Sequence, residues 1–114
     1  MLPTRHRMRT SAQFSDTVRS GARSGRRNVV VSVRMSDQSQ PTRVGFVVSK
    51  AVGNAVVRNK VKRRLRQLAA DTVQSRPTGH DVVVRALPAS AGAVWSELGD
   101  DYRGAYQSAF RKAG

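Results

Sequence analysis

Six of the nine residues from Arg58 to Arg66 (Arg-Asn-Lys-Val-Lys-Arg-Arg-Leu-Arg) are cations, and no acid lies between Asp37 and Asp71 to neutralise them. At about 100° per residue, Val57, Val61, Leu65 and Leu68 gather on one side of a helix. Arg58, Lys62 and Arg66 form a neighbouring ridge at i, i+4 and i+8, flanked by Asn59 and Arg63. Like charges at that spacing destabilise a helix by about 0.2–0.5 kcal/mol per pair. A merely solvated face interleaves Glu with Lys, and this one does not. Guanidinium groups pair bidentately with phosphate and stack on bases, and arginine supplies seventeen of the twenty-one cations. The chemistry this segment offers is nucleic-acid binding.

Catalytic constellations are absent from the sequence. Without cysteine there are no disulfides, thiolate metal sites or thiol nucleophiles. His6 and His80 stand at no metal-ligand spacing from acids, and His80-Asp81 reads as the start of a strand. Glu97 is the single glutamate, and Asp100-Asp101 suit the early turns of a helix. A protein hydrolase needs paired carboxylates or a nucleophile with its base. Gly53-Asn54-Ala55 lacks the spacing of a phosphate-binding loop. No catalytic residue and no protein-bound metal is expected.

The whole-chain charge agrees. The 114 residues carry a net charge of +14. Residues 1–70 hold sixteen Lys/Arg against two acids, whereas residues 71–114 hold five of each. Such self-repulsion in one small domain implies a polyanionic partner. Nucleic acid is favoured over membrane, because no helix pairs the charge with a bulky apolar face and no apolar run approaches the roughly 20 residues that span a bilayer. No apolar segment follows the basic first residues, so a cytoplasmic protein is expected.

The elements that must position these residues read as one α+β domain over residues 1–114. Residues 1–9 form a basic, extended N-terminal arm. Thr10-Ser11-Ala12-Gln13 is a capping box opening a helix from Ser11 to Ser20, with Phe14 and Val18 on one face. Residues 21–27 read as a basic loop, with an extra short strand conceivable. Residues 28–35 form a strand with Val29, Val31 and Val33 on one face and Val30, Ser32 and Arg34 on the other. A second strand over 43–50 follows, giving a hairpin and an antiparallel pair. Gly53-Asn54 is a turn suited to positive backbone angles, the long basic helix spans 55–74, and a third strand covers 81–87. A final helix over 94–112 carries Trp95, Leu98, Tyr102, Tyr106 and Phe110 as one apolar stripe. The order is α-β-β-α-β-α, a mixed sheet packed by three helices.

The run Arg43-Val44-Gly45-Phe46-Val47-Val48-Ser49-Lys50-Ala51-Val52-Gly53-Asn54-Ala55-Val56-Val57-Arg58-Asn59-Lys60 continuing to Arg66 resembles the signature of the protein subunit of bacterial ribonuclease P. Leu2-Pro3, the residues Ser11 to Phe14 and the strand opening Asp81-Val82-Val83-Val84 are similar to the same family. The resemblance implies an α/β sandwich with a left-handed strand–helix–strand crossover, against the usual right-handed rule. It implies a protein that assists a catalytic RNA in removing the 5′ leader of precursor tRNA, with Mg2+ held by the RNA and no protein partner required. Carried over by position, Arg58, Asn59, Lys60, Lys62, Arg63 and Arg66 would contact the ribonuclease P RNA. Phe14, Val18, Ser32, Arg34 and Lys50 would line a cleft for the precursor tRNA leader. The family often places aromatics where Val18 and Ser32 stand here, and Arg85-Ala86 departs from its order at the strand end. Phe14 remains open between core residue and leader platform. The alternative reading is a small basic structural RNA-binding protein, of ribosomal or RNA-chaperone type, with no processing role.

Overall fold

The computed structural model describes residues 2–114; Met1, the first residue of the expected arm, lies outside the described residues. The elements are α1 (Ser11–Ser20), β1 (Ala22–Gly25), β2 (Val29–Met35), β3 (Arg43–Val47), α2 (Ala55–Ser75), β4 (His80–Ala86) and α3 (Trp95–Ala113), with short 3-10 turns at Thr4–His6 and Pro88–Gly92. Three helices packing a mixed sheet agree with the α+β expectation. The capping box forms as read: Thr10 Oγ1 accepts from the Gln13 amide at 3.2 Å while Gln13 Oε1 accepts from the Thr10 amide at 3.1 Å. Gly99 and Gly104 do not interrupt α3.

The sheet order is β1-β2-β4-β3. One expectation fails here, and the extra short strand allowed for at residues 21–27 is present. The β2 and β3 strands do not form a hairpin, because β4 lies between them, antiparallel to β2 and parallel to β3. The reason is burial: β4 is buried from His80 to Val84 and must be central, whereas β3 is half-exposed and five residues long. An unbroken valine run is what a strand covered on both faces looks like in sequence. The basic loop at 22–25 is an edge strand, short, charged and glycine-ended as such edges are.

The N-terminal segment is not a free extended arm. Leu2, His6 and Met8 are buried. The Met8 amide donates to the Val44 carbonyl at 3.0 Å, and Arg7 bridges Val44 in parallel, so the segment covers the outer edge of β3. Two apolar side chains at alternate ends of a basic stretch anchor it there. Nor does Asn54 adopt a positive backbone angle; it caps α2, its Oδ1 accepting from the Val57 amide at 3.0 Å.

The main core lies between the sheet and the pair α2/α3. Val29, Val31 and Val33 of β2, Val82 and Val84 of β4 and Val44 of β3 meet Val61, Leu65, Leu98 and Tyr102. Its polar margin is a directed chain of hydrogen bonds. Thr42 Oγ1 donates to the Arg76 carbonyl at 2.7 Å. The hydroxyl has one proton, so His80 Nδ1, 3.1 Å away, is the donor to Thr42. His80 Nε2 then accepts from the Tyr106 hydroxyl at 2.8 Å, and Arg76 donates to that same oxygen at 3.2 Å. Burial pushes the His80 pKa down, so the ring is held neutral in this tautomer. The α1 helix covers the opposite face of the sheet.

Candidate nucleic-acid interface

The first surface is built on α2. The aliphatic stripe read from the sequence is the packed one: Val61, Leu65 and Leu68 are buried, joined by Ala69, Thr72 and Val73. On the flank turned toward the N-terminal segment, Asn59, Lys62, Arg63, Arg66 and Gln67 line a groove of about 550 Å³ whose other wall is Arg7. Arg7 is held by its Nε donating to the Leu2 carbonyl at 2.9 Å. None of these cations pairs with a carboxylate among the described residues. Four of the six expected contacts thus come together. Arg58 sits lower on the helix, half-buried with its Nε buried and unpartnered. Lys60 does not join the groove; at 100° per residue it projects from the other flank with Arg64, whose guanidinium donates to the Ala93 carbonyl at 3.0 Å. Arg7 was missed, and it is legible only once the arm is known to fold back.

The second surface follows from strand register. On the α1 face, Gly25, Val30, Arg85 and Val47 stand side by side across the four strands. The next row is Arg23, Ser32, Val83 and Gly45, and the third is Arg34, Asp81 and Arg43. The first row, Arg23, Ser32 and Val83 of the second, and Val18 of α1 enclose a cleft of about 370 Å³. Its floor is aliphatic, with Val18 and Val47 exposed, and Arg23 and Arg85 stand at its margins. Phe14 lies outside this lining, in an adjoining hollow that shares Val18 and Val47 with the cleft. A Cβ built on Gly45 would come within 2.5 Å of the Phe14 ring, so the glycine is what lets the ring lie on the sheet. The ring is half-buried and faces both the arm and an open hollow formed with Ser15, Val18, Arg19 and Val47. Phe14 is therefore a packing residue on Gly45 that also lines the hollow next to the cleft.

Of the expected cleft residues, Val18 and Ser32 come together, and Phe14 lines the adjoining hollow with Val18. Arg34 lies on the correct face but one row farther, across from Asp81, which takes two hydrogen bonds from Arg43 at 2.9 and 3.0 Å. The hydrogen bond to Asp81 raises the Arg43 pKa above its usual value. Lys50 is exposed in the turn after β3 and outside the cleft lining. Arg23, Val30, Val47, Val83 and Arg85 were missed. Alternation within β4, with Val82 and Val84 to the core, could have placed Val83 and Arg85 on the α1 face.

No three His, Asp or Glu side chains converge on a metal-sized site among the described residues. A basic α+β sandwich that carries a cationic groove and an apolar, arginine-rimmed cleft is suited to binding RNA. The family model described as Ribonuclease P matches residues 2–110. The chain is 72% identical over 112 residues to the ribonuclease P protein component of Kocuria rhizophila, covering 98% of each. It is 56% identical to that of Pseudarthrobacter chlorophenolicus, covering 98% of this chain and 82% of the relative. The solved RNase P protein of Staphylococcus aureus is similar with a TM-score of 0.81 at 26% identity, covering 91% of this chain and 94% of that one. The chain belongs to the ribonuclease P protein family: it is the RNA-binding protein subunit of a tRNA-processing RNA–protein endoribonuclease.

Proposed function

We propose that the α2 groove, Arg7 with Asn59, Lys62, Arg63 and Arg66, holds the ribonuclease P RNA, while the α1 cleft holds the 5′ leader of precursor tRNA. The observation that carries the division is the contrast in lining. The groove is a row of unpaired cations on a rigid helix, suited to the phosphates of a folded RNA. The cleft has an aliphatic floor and arginines at its rim, with the Phe14 ring in the adjoining hollow, suited to unstacked bases with a backbone passing between charges. Arg34 and Lys50 then act at the approaches to the cleft, Arg58 braces the RNA contact from a half-buried position, and Lys60 touches RNA from the other flank.

In this reading phosphodiester hydrolysis is carried out by the RNA with Mg2+ that it holds itself, in the cytoplasm, and the protein contributes leader binding and charge neutralisation. The protein's own carboxylates are largely engaged in structure: Asp81 with Arg43, Asp16 with Arg19, Asp100 with Arg103, and Glu97 and Asp101 with Asn28. Leader removal from a precursor tRNA at low Mg2+, with ribonuclease P RNA and with or without the protein, tests the reading. Cleavage that needs both components and slows when the leader is cut to one nucleotide is expected. Cleavage by the protein alone, or stimulation indifferent to leader length, would overturn it.

A further inference from the structure

The flank of α2 that faces away from the groove places Lys60 beside groups that the groove and the cleft do not use. Val56, Lys60 and Arg64 recur at i, i+4 and i+8 and form one ridge. Val56 is 78% exposed. Neither Lys60 nor Arg64 pairs with a carboxylate among the described residues. Arg64 donates one N–H to the Ala93 carbonyl, which fixes the guanidinium against the segment entering α3 and leaves its other donors free. Two residues on stands Trp95, 43% exposed, after Val94, 62% exposed. The apolar stripe of α3 is otherwise buried at Leu98, Tyr102 and Tyr106, so Trp95 is the point where that stripe leaves the core. The acid of the same turn, Glu97, accepts from Asn28 Nδ2 at 3.2 Å and is turned toward the β1–β2 connection, about 200° around the helix from Trp95.

We propose that Trp95, with Lys60 and Arg64, is a second RNA contact, in which an unpaired base of the ribonuclease P RNA stacks on the indole while the two cations take the flanking phosphates. The proposal rests on the RNA-binding reading and deepens it: α2 would be held by RNA on both flanks. Charge complementarity selects the occupant. An aromatic face beside unpaired cations, continuous over one helix with the groove already described, matches a base on its phosphate backbone. An apolar protein partner would leave Lys60 and Arg64 uncompensated.

Trp95 is the only tryptophan, so its fluorescence reports on this site alone. Titration with ribonuclease P RNA at low salt, with filter binding in parallel, should quench the indole and shield it from acrylamide. Trp95→Ala should weaken binding roughly 5- to 100-fold, the range for loss of one stacked base, and Trp95→Phe should restore most of it. Lys60→Glu, on an exposed position that cannot disturb the core, should abolish the quenching of the native indole. Unchanged affinity of Trp95→Ala for the RNA, or no change in the indole emission of the native chain when RNA binds, would overturn the proposal and leave the groove intact. Emission that changes with protein concentration but not with RNA would assign the patch to self-association and also overturn it. Failure of RNA binding altogether would remove the RNA-binding reading and this site with it.

Discussion

The groove on α2 and the cleft under α1 are both positively charged, yet they are made in opposite ways. The groove draws almost all its side chains from one helix, so its geometry is fixed by the 3.6-residue turn and by the buried stripe of Val61, Leu65 and Leu68. The cleft takes its lining from α1 and all four strands. No two of its strands contribute more than a few residues, and only the pairing register brings them together. The groove is cations without an apolar floor; the cleft is an apolar floor with arginines at the rim. The first binds by charge and should be steeply sensitive to salt. The second binds by shape and stacking and should be sensitive to volume.

The largest effect that would break this contrast lies in the groove. Replacing Lys62, Arg63 and Arg66 together by Ala should cost at least about a hundredfold in affinity for the RNA subunit and reduce the slope of log K against log salt by about 2 to 3, near 0.7–0.9 per lost phosphate contact. All three side chains leave the core untouched, so the unfolding midpoint should hold. Affinity measured across a salt series checks both statements.

A smaller and more selective loss is expected in the cleft. Val47→Asp puts a carboxylate on the floor between Val18 and Arg85 and should reduce the preference for precursor over mature tRNA by roughly tenfold, leaving affinity for the RNA subunit within about twofold. The converse variant sharpens the comparison: Val18→Phe adds an aromatic one helical turn from Phe14 on the same face of α1 and should strengthen leader binding, by about 1–3 kcal/mol if one base stacks on it. Competition between precursors with and without leaders separates these outcomes.

Gly45→Ala acts on the joint between the two regions, because Phe14 packs on Gly45 beside the N-terminal segment that carries Arg7. The added methyl must displace the Phe14 ring. Overpacking of this kind costs about 1–3 kcal/mol. The expected readout is a lower melting temperature together with weaker leader discrimination.

The smallest effect is a pH dependence from the core margin. His80 is neutral in the fold with a pKa pushed below its ordinary value, mainly by burial, with Arg76 opposing its charge and Asp81 favouring it. The unfolded ring takes up a proton more readily than the folded one. Stability is therefore complete above about pH 6.5, the ordinary histidine value, and declines as the pH falls below it. A second ring proton would also face the Tyr106 oxygen that already accepts from Arg76. Melting temperatures of the native chain and His80→Gln between pH 5 and 8 should converge toward acid pH.

How far each region could be read in advance follows from its construction. The helix face was legible because helical periodicity is local: the stripe and the ridge lie within one turn or two of each other in sequence. Arg7 escaped because nothing local shows that Leu2 and Met8 fold back onto the edge of β3. In the sheet, the faces of β2 were legible from alternation, but the rows were not. Pairing β2 with β4 rather than β3 decides that Ser32 meets Val83 and that Arg34 sits beside Asp81 instead of in the cleft. The valine run of β4 signalled a central strand, and weighing it above the proximity of β2 and β3 would have corrected the order. Arg85 had the correct face by alternation and only lacked a neighbour to be assigned to.

The absence of cysteine makes the central division directly measurable. Ser15, exposed in the hollow adjoining the cleft, and Gln67, exposed at the groove, can each be replaced by a single cysteine and fitted with a short photoreactive crosslinker. In the assembled complex with precursor tRNA, the probe at Ser15 should crosslink the 5′ leader and the probe at Gln67 should crosslink the RNA subunit. Crosslinks from both positions to the same RNA, or the two targets exchanged, would contradict the assignment of groove and cleft.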